Sequence, residues 1–568
     1  MEESEQRPLS QPVLRAAAAW PESAVVRLSR PNALTDRLVP LAATTFLFVA
    51  VLVVAALNQH RLTGIHAGMT VQAVRALVPL TAASVAVLCA YRPWPALLAV
   101  LALTPIWNTS EMAWQVGPVQ VIFQSIFVGV LIVGCVLQAR ARVRIHSSPA
   151  PGRAERLVAR GRAVDLRALT KRYSAYRLVE VGALAIVGLA IASTLVSLDP
   201  INSATVLLHG IIEPVATGAI LIWLRPSRRD LILVAAALGV SIALGSALNF
   251  VQSLSEFRSI TALAEHRLAF AWATYFNVGL FGVIVAMVVP LVVGLLAARR
   301  ALRLSLPLVA FLGVVLALTL AGLFFSLSKS AWLATAAGTA LLLLLLVKTW
   351  RRRMAMFAAL AAASAVFIPW PAFVLQVAPP INSAYRTVMT GIVGEARFDS
   401  WNPATLAGHG SMAERYYAVV GGVRMALDYP LLGVGLDEFG TYYWDRGYKP
   451  VPAQDKLDHA HSLFPEVAAE LGIPAVSILV VVFAAAVWAM WRTYRAARDE
   501  LTRILAATFM AAIAAWVIAA TAFGCDIYRA VRAQGSDVMA IAVLLAMAVA
   551  LTRWTQTHGA GNDRPALS

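Results

Sequence analysis

The chain has 568 residues, of which 60% are hydrophobic and only 14% are charged. Soluble globular proteins carry about 25% charged residues, so this composition excludes an ordinary soluble domain. The net charge of +17 would suit a nucleic-acid ligand, but Arg and Lys gather in the short connections between apolar runs, as they do in membrane proteins. Nucleic-acid binding is therefore not predicted.

Apolar runs that are long enough to cross a bilayer as helices recur along the whole chain. The sequence predicts an all-α fold, a polytopic transmembrane helix bundle of about fourteen spans. We place these spans at 38–57, 72–91, 93–107, 119–138, 178–197, 206–224, 230–250, 272–298, 306–325, 331–347, 354–371, 464–489, 504–523 and 537–552. The cysteines Cys89, Cys135 and Cys525 show no metal-ligand spacing, so no metal site is predicted.

The basic connections alternate along the chain, so they all fall on one side of the membrane when the N-terminus is inside. This topology makes 1–37 a cytoplasmic tail, 38–371 the first eleven spans, 463–552 the last three spans and 553–568 a second cytoplasmic tail. The connection 139–177, with 11 basic and 2 acidic residues, is predicted to be a cytoplasmic insert on anionic lipid. A specific partner for this insert is the alternative.

Residues 372–462 form one large external loop, and loops of this length are usually functional. The capping box Ser411-Met-Ala-Glu414 predicts the start of a helix, and Pro430 predicts its end. Apolar residues recur between them at helical spacing on one face, formed by Met412, Tyr416, Val419, Val420, Val423 and Leu427. We expect an amphipathic helix that lies over the bundle or in the lipid interface.

Several basic residues lie on the external side, where positive charge is disfavoured. Arg267 precedes the eighth span, Lys329 lies in a tight turn and Arg415 lies in the first turn of the loop helix. Arg529 and Arg532 lie in the last external loop. These positions indicate an anionic ligand, because the arginine fork binds phosphate through paired hydrogen bonds. The alternative is that each residue pairs with a loop carboxylate or a lipid headgroup.

The junction at which the large loop re-enters the membrane contains His459-Ala-His461. A neutral imidazole accepts a proton near neutral pH, so His461 is a candidate general base that Asp455, Asp458 or His459 would orient. The alternative for His461 is an interfacial hydrogen bond. On a continuous helix, Glu470 would lie on the face opposite His461 and roughly 13 Å from it along the helix axis. We therefore expect Glu470 to make a structural hydrogen bond.

These residues resemble the motifs of a known family. His461-Ser462 followed by Glu470-Leu471-Gly472 is similar to the His-Asn/Ser-x7-Glu-x-Gly pattern of the bacterial O-antigen ligase and O-antigen polymerase superfamily, a group of polytopic membrane glycosyltransferases. Its other motifs resemble Arg267 with Asn277, Ser328-Lys329-Ser330-Ala-Trp332, and Arg415 followed by Asp428-Tyr-Pro430-Leu-Leu-Gly433-Val-Gly435-Leu-Asp-Glu-Phe439. Lys329 stands where the family usually has Arg, and Ala269 stands where it has Gly.

The resemblance implies a metal-independent, inverting glycosyltransferase without a cofactor. Such an enzyme moves a glycan from a polyprenyl-diphosphate donor to an acceptor hydroxyl on the periplasmic face of the bacterial inner membrane. It implies that Arg267, Arg415 and Lys329 contact the donor diphosphate and that His461 is the catalytic base. His459 and Glu470 are expected to support that site.

Ligases and polymerases of this superfamily share all of these motifs. We interpret the chain as a ligase with a lipid A–core acceptor; the alternatives are a polymerase that extends a lipid-linked glycan and an enzyme that glycosylates protein. A transporter of polysaccharide or lipid-linked glycan is the alternative of a different class. Transporters usually place ionisable residues at the bilayer midplane within inverted repeats, and no internal repeat is visible in this sequence.

Overall fold

The computed structural model describes ten stretches of the chain and a few isolated positions. The stretches are residues 93–107, 114–116, 119–121, 127–136, 175–256, 278–326, 328–347, 411–450, 457–521 and 536–559. Within them the chain is helical apart from one short hairpin, and several helices are apolar enough to span a membrane. The predicted all-α, polytopic helix bundle is therefore confirmed.

The first described elements include the hairpin. They are helix α1 (Pro93–Trp107) and strands β1 (Trp114–Val116) and β2 (Val119–Val121), which pair antiparallel. The predicted span at 119–138 is wrong at its start, because its first three residues pair as a strand in which two of the three are β-branched valines. The apolar helix of this region covers Phe127–Val136.

The centre of the chain consists of long apolar helices. They are α2 (Ala175–Val196), α3 (Pro200–Val206), a π-helical segment (Leu207–Ile212), α4 (Glu213–Trp223), α5 (Arg228–Glu256), α6 (Val278–Ala297), α7 (Leu306–Ser326) and α8 (Lys329–Leu346). The π-helical segment joins α3 to α4, so the predicted span at 206–224 is one longer helix that starts at Pro200. α6 lies at the centre, since nearly all of its described side chains are buried.

The last third of the chain supplies three short or surface helices and three long ones. They are α9 (Ser411–Asp428), α10 (Phe439–Asp445), α11 (Leu463–Leu471), α12 (Ile473–Ala496), α13 (Glu500–Thr521) and α14 (Ser536–Gly559). The start of α9 at Ser411 and its end before Pro430 confirm the helix that was predicted in the large loop.

Seven helices in the described residues are long and apolar enough to cross a membrane. Three shorter apolar helices, Phe127–Val136, Phe281–Ala297 and Ser330–Leu346, correspond to further predicted spans. The predicted spans at 38–57, 72–91 and 354–371 lie almost entirely outside the described residues. The total of about fourteen therefore stays a prediction.

The predicted span at 464–489 is wrong as a single helix. The chain forms α11, breaks at Gly472, and begins α12 at Ile473. Gly472 has a left-handed φ of +85°, and Pro474 lies in the first turn of α12, where proline is tolerated. Only α12 is a candidate membrane span, so α11 and its side chains lie outside the spanning segments.

The described part of the large loop packs around a small core of its own. This core joins α9, α10 and α11 through Ala418, Met425, Val434, Phe439, Tyr443, Ala460 and Ala469. The rings of Phe439 and Tyr443 stack with centroids 5.4 Å apart. The loop is therefore a folded cap on one end of the bundle, which we call the site end.

Helix α9 packs on the rest of the cap through its small residues. Gly421 lies against the ring of Tyr443, and Gly422 lies against the backbone of Pro465. The predicted apolar face points the other way, because Tyr416 and Leu427 are exposed. This arrangement agrees with an amphipathic helix whose large apolar side chains lie in the lipid interface.

The basic end of the bundle is opposite the site end. Arg228, the first residue of α5, pairs with Asp499 at 2.6 Å and lies over the ring of Trp554 near the end of α14. Arg553 pairs with Glu180 of α2. Basic groups from two separate parts of the chain therefore lie on one side, in agreement with the alternation of charge along the sequence.

Candidate active site

His461 occupies a strained backbone position at the site end. Its φ is +54°, a left-handed conformation that costs about 1–3 kcal/mol for a residue with a side chain and persists only where the surroundings impose it. The next residue, Ser462, is extended and precedes α11, and its Oγ donates to the carbonyl of Thr521 at 3.0 Å. The end of α13 therefore holds the backbone directly beside His461.

A chain of hydrogen bonds joins three side chains in front of α11. Nδ1 of His459 is 2.9 Å from Oδ1 of Asp458, and Nε2 of His459 is 2.9 Å from Nδ1 of His461. The two imidazole centroids are 3.8 Å apart with an angle of 58° between the rings. His459 is only 2% exposed, His461 is half-buried and the Asp458 side chain is 49% exposed.

Glu466 fixes the backbone between the two histidines. Its Oε2 accepts a hydrogen bond from the N–H of Ala460, and both residues are buried. Glu466 lies in the first turn of α11, where the helix dipole also favours a carboxylate. Our reading of the sequence did not identify this residue; the signal available was an acidic residue placed just inside a helix start.

Glu470 points away from the histidines and holds the loop before α10. Its Oε1 accepts a hydrogen bond from the N–H of Phe439 at 3.2 Å, and its own carbonyl accepts one from Ser193 at 2.6 Å. Burial raises the pKa of Glu470 well above its usual range, and the carboxylates of Glu466 and Asp437 act in the same direction. These contacts agree with the structural hydrogen bond expected for this residue.

Two glycines allow the loop to lie directly on α11. The N–H of Val434 donates to the carbonyl of Ala469 at 2.8 Å, so the chain at Gly433 touches the end of the helix. A Cβ at Gly433 would lie 2.5 Å from that same carbonyl oxygen, and φ at Gly433 is +70°. A Cβ at Gly472 would lie 2.5 Å from the carbonyl carbon of Leu431. The close approach therefore requires glycine at both positions.

Of the three predicted diphosphate ligands, only Arg415 has a described side chain. Arg415 is half-buried on α9, seven residues before Gly422, so helical geometry puts both on one face about two turns apart. Gly422 faces Ala460 and Pro465, which flank the His461 segment. Lys329 is the first residue of α8, and its side chain is outside the described part, as is all of Arg267.

An apolar cavity of about 480 Å³ lies between α2, α4, α12 and α14. One end reaches Leu463, the first residue of α11, and the other end reaches the Glu180–Arg553 pair. Most of its lining is aliphatic or aromatic. The cavity therefore connects the immediate neighbourhood of His461 with the interior of the spanning region.

A second buried polar cluster lies within the π-helical segment. Nδ1 of His209 is 2.9 Å from Oε1 of Glu213 and 3.0 Å from Oγ of Ser125. Both contacts meet at one ring nitrogen, whereas a serine–histidine–carboxylate relay uses opposite nitrogens. The cluster is therefore not a hydrolase triad. The sequence could have indicated the cluster itself, because His209 and Glu213 are ionisable residues four apart in an apolar span.

Comparison with known families finds one match in the part of the chain that contains this site. Residues 314–480 match the O-antigen ligase family model. This region of the chain is therefore similar to the O-antigen ligase family. The match confirms the resemblance seen in the motifs and covers α7 to α11 and the start of α12. No curated protein matches the chain.

The match to the O-antigen ligase family includes most of the candidate site. Lys329, Arg415, His459, His461 and Glu470 all lie inside the matched residues. Arg267 precedes the matched residues, so its assignment to the site rests on the sequence resemblance alone. The apolar helices and this match together indicate a multi-pass membrane protein that is similar to O-antigen ligases.

Proposed function

We propose that this protein transfers a glycan from a polyprenyl-diphosphate donor to an acceptor hydroxyl at the site end of the bundle. The observation that carries the proposal is the imidazole of His461, which lies in a left-handed turn inside the matched region and is hydrogen-bonded to His459. The next residue, Ser462, donates a hydrogen bond to the carbonyl of Thr521 and so fixes the backbone beside His461. A fixed, half-buried imidazole is the group expected to remove a proton from an alcohol acceptor.

The reaction forms one bond and breaks one bond at the anomeric carbon of the donor sugar. The acceptor oxygen attacks that carbon while its proton passes to His461. The bond between the anomeric carbon and the diphosphate breaks, and its electron pair leaves with the polyprenyl diphosphate. Attack opposite the leaving group inverts the configuration. The proton on His461 is released to water before the next cycle.

Cations would stabilise the negative charge that develops on the leaving diphosphate. Arg415 lies on the face of α9 that is turned towards the His461 segment, and its fork matches a phosphate oxygen pair. Arg267 is the second proposed ligand, and Lys329 is a third that supplies a point charge. No metal ion or cofactor is part of the proposed reaction.

The apolar cavity supports a lipid-linked substrate. The end of the cavity near the cap is lined by Leu463 and Val467 of α11. A lipid tail that enters the cavity there would start within a few residues of His461. Its volume is in the range of ordinary ligand sites, and its walls offer almost no hydrogen-bonding groups. We therefore place part of the polyprenyl tail of the donor in this cavity.

The distribution of charge supports a periplasmic site. Arg228 and Arg553 lie at the basic end, opposite the cap that carries His461. Basic ends of membrane proteins face the cytoplasm, so the cap would face the periplasm of a bacterial inner membrane. A donor that carries its glycan on that face of the membrane would reach the site directly.

The ligase and polymerase activities differ in the acceptor. We favour an O-antigen ligase with a lipid A–core acceptor, because the family description that matches is that of the ligases. A polymerase would add the glycan to a second lipid-linked glycan, and a protein glycosylation enzyme would add it to a side-chain hydroxyl. All three use the same donor, base and leaving group.

Reconstitution in liposomes tests the proposal. Purified protein is supplied with a polyprenyl-diphosphate oligosaccharide, with and without lipid A–core, and the products are separated on a gel. Glycan on lipid A–core alone is the expected result, and a ladder on the polyprenyl carrier alone would instead identify a polymerase. His461→Ala is the inactive control, and His558→Ala, in the last turn of α14, is the matched active control. Absence of transfer to either acceptor, with donor carried across the membrane, would favour a transporter.

A further inference from the structure

We propose that His459 is a positioning residue that sets the tautomer of His461 and stabilises its protonated form, with Asp458 as the terminal acceptor. The inference rests on the proposed function, because it assigns His461 the role of base. It comes from the two hydrogen bonds of 2.9 Å that run from Asp458 through His459 to His461. The family match includes these residues but assigns them no roles.

The chain of hydrogen bonds allows one arrangement of protons while both rings are neutral. An ionised Asp458 carboxylate only accepts, so Nδ1 of His459 must carry the hydrogen that it donates. Neutral His459 then has a lone pair on Nε2, which must accept from Nδ1–H of His461. The remaining ring nitrogen of His461, Nε2, therefore carries the lone pair. That nitrogen is the one that takes the proton of the acceptor hydroxyl.

The same chain stabilises the imidazolium that forms during transfer. When Nε2 of His461 takes a proton, Nδ1–H still donates to His459, and the bond becomes charge-assisted. His459 is 2% exposed, so this interaction is poorly screened by water. The proton stays on His461, His459 stays neutral and Asp458 stays ionised, so no proton has to move along the chain.

The local backbone brings the rings together. Residues two apart in an extended segment point to the same side and are about 6.6 Å from each other, so long side chains can meet. In the structure, where φ at His461 is +54°, the ring centroids are 3.8 Å apart. Glu466 holds Ala460 between them, and Ser462 is tied to α13. The backbone on both sides of His461 is therefore fixed, and the histidine pair is held in one geometry.

Other charged groups lie on the elements that pack around the pair. They are Arg415 of α9, Asp437 and Glu438 before α10, and Glu466 and Glu470 of α11. None of them changes in the variants proposed below. A difference between variants at His459 therefore reports the hydrogen bond between the two histidines.

The test compares two replacements of His459 in full-length protein reconstituted with polyprenyl-diphosphate oligosaccharide and the acceptor that the reconstitution identifies. His459→Phe keeps a flat ring but has no acceptor for Nδ1–H of His461. His459→Gln keeps an acceptor oxygen at a similar distance along the side chain. We expect kcat to fall by about 10- to 100-fold in His459→Phe, the range for loss of one hydrogen bond to a charged group, with KM for the donor unchanged. His459→Gln should recover most of that loss.

The pH profile distinguishes positioning from a merely structural role. The hydrogen-bond chain would stabilise the protonated form of His461 relative to the neutral form, because its Nδ1–H bond becomes charge-assisted. His459→Phe should therefore move the acid limb of the kcat profile to lower pH while lowering the plateau. Asp458→Asn should move the acid limb in the same direction. It should lower kcat by at most about fivefold, because the Asp458 side chain is 49% exposed.

Several outcomes would overturn the inference. Equal rates for His459→Phe and wild type, or an acid limb that stays in place, would remove His459 from the mechanism. Equal losses in His459→Phe and His459→Gln with unchanged profiles would mean that the residue only packs. If His459→Phe fails to fold, Asp458→Asn, on a half-exposed side chain, carries the test. His461→Ala is measured in parallel: if it is inactive while His459→Phe is normal, the proposed function stands and only the positioning role fails.

Discussion

Gly433 lies directly on the backbone of Glu470, closer than any residue with a side chain could approach. Both residues lie inside the region that matches the O-antigen ligase family, and the contact joins two segments that are 37 residues apart in the sequence. The Gly433 turn positions Phe439, whose N–H binds the Glu470 carboxyl group. These two contacts attach the loop to α11.

The first prediction concerns this contact. Gly433→Ala should destabilise the protein by well over about 1 kcal/mol, because the new Cβ meets backbone that no rotamer change can move. Gly447→Ala is the matched control, since Gly447 also has a positive φ, +80°, but has open space around its Cβ position. Thermal unfolding in detergent should separate the two variants. Equal melting temperatures would show that the contact does not hold the loop.

The second prediction concerns the pH dependence of stability. Burial raises the pKa of Glu470 in the folded state above its ordinary value of 4.5. The protonated form therefore contributes stability that is complete below about pH 4.5 and is lost as the pH rises through the folded-state pKa. Glu470→Gln, which cannot ionise, should match wild type at low pH and become the more stable protein as the pH rises.

Melting temperatures between about pH 4 and pH 8 check this second prediction. Glu470→Ala is the control, because it loses the hydrogen bond to Phe439 and should be less stable than Glu470→Gln at every pH. Full transfer activity in Glu470→Gln is also expected. If Glu470→Gln is the less stable protein at neutral pH, the ionised carboxylate is the form that the fold requires.

The third prediction concerns diphosphate binding by Arg415. Arg415→Ala should lower the transfer rate by about 10²- to 10³-fold, the usual effect of removing one group that stabilises developing negative charge. Arg415→Lys should recover only part of the loss, because a lysine lacks the planar fork. Arg424→Ala is the matched control, since Arg424 is exposed on the opposite face of α9. Similar losses in both alanine variants would indicate a general effect of charge on the cap.

The fourth prediction concerns the apolar cavity. Ala542→Phe places a ring in the cavity and should raise KM for a long-tailed donor by at least about tenfold, because each excluded methylene costs about 0.8 kcal/mol. KM for a donor analogue with a short tail should change little. Val181→Phe, on the exposed side of α2, is the control. An equal effect on long and short donors would place the tail elsewhere.

Much of the bundle could be predicted from hydrophobic runs bounded by charge. α5 begins at Arg228 beside a predicted start at 230, and α13 and α14 likewise overlap their predicted spans. The break at Gly472 could not be predicted this way, because α11 and α12 read as one apolar run. A left-handed glycine ends a helix through backbone geometry, which hydrophobicity does not report.

The site was predictable in its residues and less so in its geometry. The spacing of His459 and His461 marked them as candidates, but it did not predict the hydrogen bond between them or the left-handed backbone at His461. The face of α9 that packs on the cap was not predicted either, because close approach uses Gly421 and Gly422 and leaves the large side chains Tyr416 and Leu427 exposed. Pattern reading favours large apolar residues, whereas tight helix contacts favour small ones.

The most direct test of the account is single-turnover transfer by His461→Ala in liposomes, with donor binding measured separately on the same protein. The account predicts that the variant folds, binds the polyprenyl-diphosphate donor as wild type does, and transfers glycan about 10²- to 10⁴-fold more slowly. A near-normal rate of transfer with normal donor binding would contradict it, because the general base would then be another group.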